Sequence, residues 1–243
     1  MTPARTSAVR LPQPPPANRL PETYLNWPYL VTNRHEGVFS WQYTYAKRLV
    51  DLVGSMLMIC LFAIPGFMIA AAILFTSNGP LFYREERIGR NGAPFRIWKF
   101  RTMYAESDLF RLRGYSTKIR SSLHARTNKT RNDPRVTRIG RFLRQWSLDE
   151  LPQVFNIVAG EMSLVGPRPI VTAETPMYGE RLRYYLMAKP GLSGLWQVSG
   201  RSTVDYAERT RLDATYVRHW NIISDIQILF RTIPAVIGRV GAW

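Results

Sequence analysis

The stretch Leu52–Phe75 reads LVGSMLMICLFAIPGFMIAAAILF and carries no charged side chain. Its 24 residues exceed the ~20 that an α-helix needs to cross the hydrocarbon core of a bilayer. A helix of a soluble domain is seldom this long and apolar on every side, so the stretch is read as inserted into a membrane. Pro65-Gly66 sits near its middle. Proline lacks the amide hydrogen and collides with the preceding turn, so a kink or break is expected near Ile64. Lys47 and Arg48 precede the run, and Arg84, Arg87 and Arg90 follow it. Cytoplasmic flanks attract Lys and Arg, and here both flanks are basic. A re-entrant helix that turns at Pro65 and leaves by the face it entered satisfies both features. An ordinary kinked span stays open, because proline is tolerated in membrane helices.

Outward from this segment the chain divides into three. Residues 1–40 carry Pro12, Pro14, Pro15 and Pro16 where a secretory signal would have its apolar core. They read as a flexible, proline-rich tail that cannot bury enough surface to fold alone. Residues 41–78 hold the membrane helix, and residues 79–243 a small domain of α+β class, mostly helical. In that domain Asn78-Gly79-Pro80 is a turn. Leu81 to Arg87 and Pro94 to Phe100 read as a β-hairpin around Gly89-Arg90-Asn91-Gly92. Tyr104 to about His124 reads as a basic surface helix, Arg126 to Pro134 as a loop, and Val136 to Trp146 as a helix. Ser147-Leu148-Asp149-Glu150 fits a Ser-x-x-Glu capping box for a helix that Gly160 ends. Gly166 to Pro169 is extended. Glu180 to Met187 is a helix, Pro190 to Arg201 a glycine-rich loop, and Tyr206 to Trp220 a helix. Ile222 to Gly238 forms a final amphipathic helix interrupted at Pro234.

Composition narrows the partners. The chain has 243 residues, 46% of them hydrophobic, and Lys plus Arg total 33 against 17 for Asp plus Glu. The net charge of +16 calls for an anionic partner: nucleic acid, an anionic membrane surface or phosphorylated substrates. Cys60 is the single cysteine, so no disulfide forms within the chain, and its place in the apolar run marks it as packed rather than catalytic. His35, His124 and His219 show no close metal-ligand spacing.

Two groups of residues can carry chemistry. Asp149 and Glu150 sit at a helix start, where the backbone dipole favours ionised carboxylates. Asp149 there suits a nucleophile or a divalent-cation ligand, and a plain helix cap stays open. Arg141, Arg144, Arg168 and Arg201 lie in short segments bounded by glycine or proline, and guanidinium forks match phosphate oxygens. Pro167 and Pro169 stiffen the backbone on either side of Arg168.

The order of motifs then points to a family. Lys47-Arg48 and Asp51 precede the proline-broken run. Lys99-Phe100-Arg101-Thr102-Met103, Asp133-Pro134-Arg135-Val136-Thr137 and Ser147-Leu148-Asp149-Glu150-Leu151-Pro152-Gln153 follow it. After these come Met162-Ser163-Leu164-Val165-Gly166-Pro167-Arg168-Pro169, then Lys189-Pro190-Gly191-Leu192-Ser193-Gly194-Leu195-Trp196-Gln197, then Gly200-Arg201. From about Tyr43 to the C-terminus the chain resembles the bacterial sugar transferases, the monotopic phosphoglycosyl transferases. It is similar to the short members that act in exopolysaccharide synthesis. Ser193 stands where the family more often has Thr.

The resemblance implies a re-entrant helix hairpin, with Pro65 as its structural break and both ends cytoplasmic. It implies a cytoplasmic catalytic domain on the bacterial inner membrane. The partners implied are the lipid bilayer, a UDP-hexose donor and undecaprenyl phosphate as acceptor, with no nucleic acid. The implied reaction is ping-pong and Mg²⁺-dependent. Asp149 attacks the sugar-bearing phosphate and expels UMP, and Glu150 helps hold the metal with Asp149 or takes a proton. Lys99 and Arg101 join Arg141, Arg144, Arg168 and Arg201 as phosphate-binding residues. Neither the sugar, galactose or glucose, nor the oligomeric state follows from it. The competing readings are a membrane-tethered basic protein that binds nucleic acid or anionic lipid, and a transferase of polytopic type. The lack of a nucleic-acid motif weighs against the first, and the single apolar segment of spanning length against the second.

Overall fold

A computed structural model describes residues 42–104, 133, 135–200 and 204–238. The expected tail, the surface helix after Tyr104, most of the following loop and Arg201 lie outside the described residues.

A π-helical turn, Gln42–Ala46, leads into α1, Lys47–Thr76, which runs for 30 residues. Leu, Met, Ile, Phe and Ala fill it, and among the described residues it is the one helix long and apolar enough to cross a membrane. The chain stays helical across Pro65, which lies inside α1. The expected break is therefore not a loss of helical structure. Proline forfeits one amide bond and crowds one turn, and in an apolar setting the remaining backbone groups are satisfied best by continuing the helix. Leu57, Leu61, Ile64, Phe67 and Met68 in its middle are exposed, as is Cys60.

Both ends of α1 dock on the same body. At the N-terminal end Lys47, Asp51 and Ser55 are buried, and Met58 packs on the main core of Ile97, Ile157, Met162, Leu164, Leu212 and Tyr216. Near the C-terminal end Ile73 joins a second core with Phe100 and Leu143, lined by Ile69, Ala70, Leu148 and Leu151.

The hairpin forms as the alternation predicts. Strand β1, Phe82–Ile88, pairs antiparallel with β2, Pro94–Phe100, from Phe82 opposite Phe100 to Ile88 opposite Pro94. Asn91 turns the chain with φ 59°, followed by Gly92 at φ 78°. Helix α2, Arg138–Gln145, is capped by Thr137, whose hydroxyl accepts from the Gly140 amide at 2.8 Å. A 3₁₀ turn, Leu148–Gln153, runs into α3, Val154–Ala159, which Gly160 closes at φ 84°.

Strand β3, Ser163–Val165, lies parallel to β4, Gly191–Ser193, and α4, Leu195–Val198, follows directly. The expected glycine-rich loop is thus a short strand and a helical turn. Its glycines let two backbones meet: a Cβ on Gly191 would lie 2.0 Å from the Gly166 nitrogen. Between β3 and β4 sit a short helix, Thr175–Tyr178, and α5, Leu182–Met187. The last two helices are α6, Tyr206–Arg218, and α7, Ile222–Ile237. Helix α7 continues through Pro234 rather than breaking there. It buries Ser224, Asp225 and Ile228 and exposes Ile223, Ile226, Phe230, Ile233 and Ile237, spaced three and four apart along one stripe.

Candidate active site

The acid pair stands on the 3₁₀ turn between α2 and α3. Ser147, just before it, adopts the left-handed conformation, φ 56° and ψ 21°, and makes no side-chain cap bond. The expected capping box is therefore absent. An N-cap needs an extended backbone to aim its oxygen at the next turn, and a left-handed residue cannot do so. A non-glycine residue held left-handed beside two carboxylates marks a turn shaped by its surroundings.

Glu150 Oε1 accepts from Lys99 Nζ at 2.7 Å, both side chains partly buried. Lys99 is delivered by the penultimate position of β2, whose end packs along the 3₁₀ turn. Arg144, from the last turn of α2, is held by the Thr102 hydroxyl, which accepts from its Nε at 2.9 Å. Burial lowers the Arg144 pKa, and the carboxylates of Asp149 and Asp133 oppose that shift. Asp133 is itself gripped by Arg135, with Nε to Oδ1 at 3.0 Å and Nη2 to Oδ2 at 2.6 Å. Burial alone would raise Asp133, but the Arg135 bonds hold it below the usual carboxylate range. The two acids thus have different neighbours: Glu150 faces an ammonium, and Asp149 lies in the field of a guanidinium.

The other predicted residues separate. Arg101 Nη2 donates to the Ser77 carbonyl at 2.7 Å and to its hydroxyl at 3.0 Å, closing the C-terminal end of α1. Arg141 is exposed on α2. Arg168 is half-buried between buried Pro167 and Pro169, with its guanidinium 5.6 Å from the Trp196 ring centroid. Pro167 accepts from the Gly191 amide at 2.8 Å and Pro169 from Arg87 Nη1 at 3.1 Å, so both flanks of Arg168 are pinned. Among the described residues Arg168 forms no ion pair, with the acid pair or otherwise.

Sequence reasoning passed over the partners that set these groups. Thr102 orients Arg144. Asp213, buried on α6, accepts from the Tyr178 hydroxyl at 2.8 Å and from the Arg168 backbone amide. Burial pushes its carboxyl up to about 7 against the pull of Tyr178 and Arg209. Arg48 Nη1 and Nη2 donate to the carbonyls of Ile157 and Val158 at 2.6 and 2.8 Å, tying the start of α1 to the last turn of α3. The signal for Arg48 was its place in the basic flank, which reads equally well as a topology marker.

The sequence profile of the bacterial sugar transferases matches residues 42–239, from the turn before α1 past the end of α7. The chain belongs to that family. Among its relatives, the exopolysaccharide production protein ExoY of Rhizobium meliloti is 44% identical over 196 residues, covering 79% of this chain and 85% of ExoY. The UDP-galactose-lipid carrier transferase of Erwinia amylovora is 45% identical over 204 residues, covering 82% of this chain. The UDP-glucose:undecaprenyl-phosphate glucose-1-phosphate transferase of Caulobacter vibrioides is 40% identical over 205 residues, covering 81% of this chain and 72% of that protein. The chain spans 42% of the Erwinia relative's length, so the two differ in extent outside the shared transferase region.

Proposed function

We propose that the chain transfers a hexose-1-phosphate from a UDP-hexose to undecaprenyl phosphate, an early membrane step of exopolysaccharide or related glycan synthesis. The observation that carries this reading is the position of the acid pair. Leu148 and Leu151, which flank Asp149 and Glu150, pack in the same core as Ile73 near the C-terminal end of α1. A carboxylate fixed at the end of a membrane-inserted helix stands at the depth of lipid head groups, where a water-soluble donor and a lipid phosphate can both reach it.

The transfer runs in two displacements. An Asp149 carboxylate oxygen bonds to the sugar-bearing phosphorus, the bond from that phosphorus to the bridging oxygen breaks, and UMP departs with the electron pair. An oxygen of the lipid phosphate then bonds to the same phosphorus, the aspartyl oxygen leaves, and the carboxylate is restored with polyprenyl diphosphate hexose as product. Such transfer needs charge neutralisation and positioning above all. Arg144 and Lys99 supply positive charge beside the reacting phosphate, with Arg141 and Arg201 as further candidates.

Mg²⁺ binds typically through one or two carboxylates together with substrate phosphates and water. Asp149 and Glu150, adjacent on one turn, fit that mode, whereas no group of three acidic, imidazole or thiol ligands occurs among the described residues. Held there with the donor diphosphate, the ion would neutralise charge on the phosphate oxygens.

Membrane attachment is monotopic in this reading. Both ends of α1 dock on one body, which supports placing both flanks on the cytoplasmic face of the inner membrane, with Pro65 letting the helix turn back. The exposed stripe of α7 suits a helix lying in the interface.

The test is incubation of the purified chain with radiolabelled UDP-hexose and Mg²⁺ in the absence of lipid acceptor. UMP is released, label stays on the denatured protein, and hydroxylamine removes it. Asp149→Asn abolishes labelling while remaining folded, and full labelling of that variant would falsify the nucleophile assignment. For topology, Tyr45→Cys and Asn78→Cys, each with Cys60→Ser, should both react with a cytoplasmic thiol reagent. A periplasmic position for either one would replace the hairpin with a span.

A further inference from the structure

Away from the acid turn, four buried polar atoms lack hydrogen-bond partners among the described residues: Arg168 Nε, Arg209 Nε, Trp196 Nε1 and Tyr206 Oη. They belong to one cluster. The guanidinium carbons of Arg168 and Arg209 lie 5.6 and 5.4 Å from the centroid of the same Trp196 ring, and Arg209 lies 4.1 Å from the Tyr206 ring. Buried polar groups in folded proteins are ordinarily satisfied, so a set of orphaned donors asks for an occupant.

The way the arginines are held defines that occupant. A ring face stabilises a guanidinium without using its N–H edges, so the donors remain available. Glu174 takes one of them, from Arg209 Nη2 at 3.3 Å, and Arg168 forms no ion pair among the described residues. Asp213 accepts the Arg168 backbone amide and leaves that side chain's fork unengaged. Glu174 and the buried Asp213 offset part of the charge of the two guanidiniums on one indole, and a further anion between them would lower their remaining repulsion. Guanidinium forks match a phosphate, which presents three oxygens to them.

The surroundings choose between a soluble and a lipid anion. Tyr206 packs on the core of Ile170, Tyr178 and Tyr185, which includes no residue of α1. Trp196 lies in the main core, which α1 meets through Met58, while the acid turn meets the far end of α1 on a separate core.

We infer that Arg168 and Arg209, seated on Trp196, form a cradle for the phosphate of a soluble uridine nucleotide. Arg209 is the new member of the binding machinery, and the inference rests on the sugar-phosphate transfer reading for the identity of the nucleotide. The phosphate can come from the donor and its UMP product, or from a free nucleotide bound apart from the donor.

The experiment measures UMP and uridine binding by calorimetry on the full chain in detergent, for wild type, Arg209→Gln and Arg209→Lys. Loss of a charge-assisted phosphate contact predicts roughly ten-fold or greater weakening of UMP binding in Arg209→Gln. Uridine binding stays unchanged, and Arg209→Lys recovers part of the UMP affinity. In turnover, the KM for UDP-hexose rises by a larger factor than kcat falls. In Asp149→Asn, which does not turn over, UDP-hexose displaces UMP if the cradle serves the donor. Simultaneous binding of both, with the UMP part lost when Arg209→Gln is added, assigns the same cradle to a free nucleotide. Equal UMP affinity in wild type and Arg209→Gln overturns the inference, and so does a parallel loss of uridine and UMP binding, which marks a structural role. Binding is read without catalysis, so an unlabelled Asp149 in wild type would sink the transfer reading and leave the cradle result standing.

Discussion

The start of α1 is gripped through a buried charge network, whereas its far end rests mainly on apolar side chains, with Arg101 closing the chain just past it at Ser77. Lys47 Nζ donates to Asp225 Oδ2 at 2.6 Å, to the Val165 carbonyl at 2.8 Å and to the Tyr216 hydroxyl at 3.2 Å. Asp225 also accepts from Tyr216 at 2.7 Å and from Trp220 Nε1 at 3.0 Å, while Asp51 accepts from the Ser163 hydroxyl and the Leu164 amide at 2.8 and 2.9 Å. Every one of these bonds has a direction, so the rotation and register of the helix are fixed there. Ile73, at the other end, meets Phe100 and Leu143 through contacts that have no direction. One end is indexed and the other cushioned, and the acid pair is built beside the cushioned one. The acid pair is thereby placed where small displacements cost least.

Breaking the indexed end should give the largest effect. Asp225→Ala strands a buried ammonium and is expected to cost about 3–5 kcal/mol. Thermal unfolding in detergent checks it, and a shift near zero would show that Lys47 reaches water. At the cushioned end, Leu143→Ala is expected to cost about 2–4 kcal/mol by opening a cavity. Because Leu143 touches no reacting group, Asp149 labelling should persist at low temperature. Loss of labelling in a folded Leu143→Ala protein would mean that the apolar contact also sets the site.

A third buried carboxylate sharpens the contrast, since Asp213 is as deep as Asp225 but has no ammonium contact. Its pKa is raised from 3.8 to about 7, so the folded state keeps a proton that the unfolded state has already lost. Stability from this group is full below about pH 4 and is lost as pH climbs through 7. Asp213→Asn removes the titration, so wild type should lose stability relative to the variant between those limits. Parallel pH profiles would place the Asp213 titration elsewhere. The smallest effect is expected at Gly54, where an added Cβ would fall 2.4 Å from Leu164 Cδ1. The end of a flexible side chain can give way, so Gly54→Ala should cost less than about 1.5 kcal/mol. A larger loss of melting temperature would show that the indexed end tolerates no movement at all.

What the sequence revealed follows from the range of each interaction. The apolar helix, the hairpin and the glycine that ends α3 are written in runs and turns of a few residues. The capping box looks equally local, yet Ser147 adopts the left-handed conformation and makes no side-chain cap bond. The stretch from Pro190 to Arg201 reads as a loop from its glycine content, whereas Gly191 and Gly194 serve close approach to Gly166. Lys99 meeting Glu150 joins residues 51 positions apart, and spacing carries no trace of it. The same holds for Lys47 and Asp225, which are separated by 178 positions. Arg101 donates to Ser77 at the end of α1, and a motif does not distinguish a cation that closes a helix end from one that binds substrate.

The seam between Gly166, Gly191 and Gly194 carries a consequence for how such a protein can diverge. A Cβ at these positions would come within 2.4, 2.0 and 2.2 Å of main-chain atoms, so no side chain of any kind is admitted. The segment that presents Arg168 is consequently registered by backbone against backbone, a joint with no adjustable part. Drift in the surrounding sequence can recolour the walls of the site but cannot slide this joint. A descendant with a different specificity would have to change the side chains around the seam and inherit the seam itself intact.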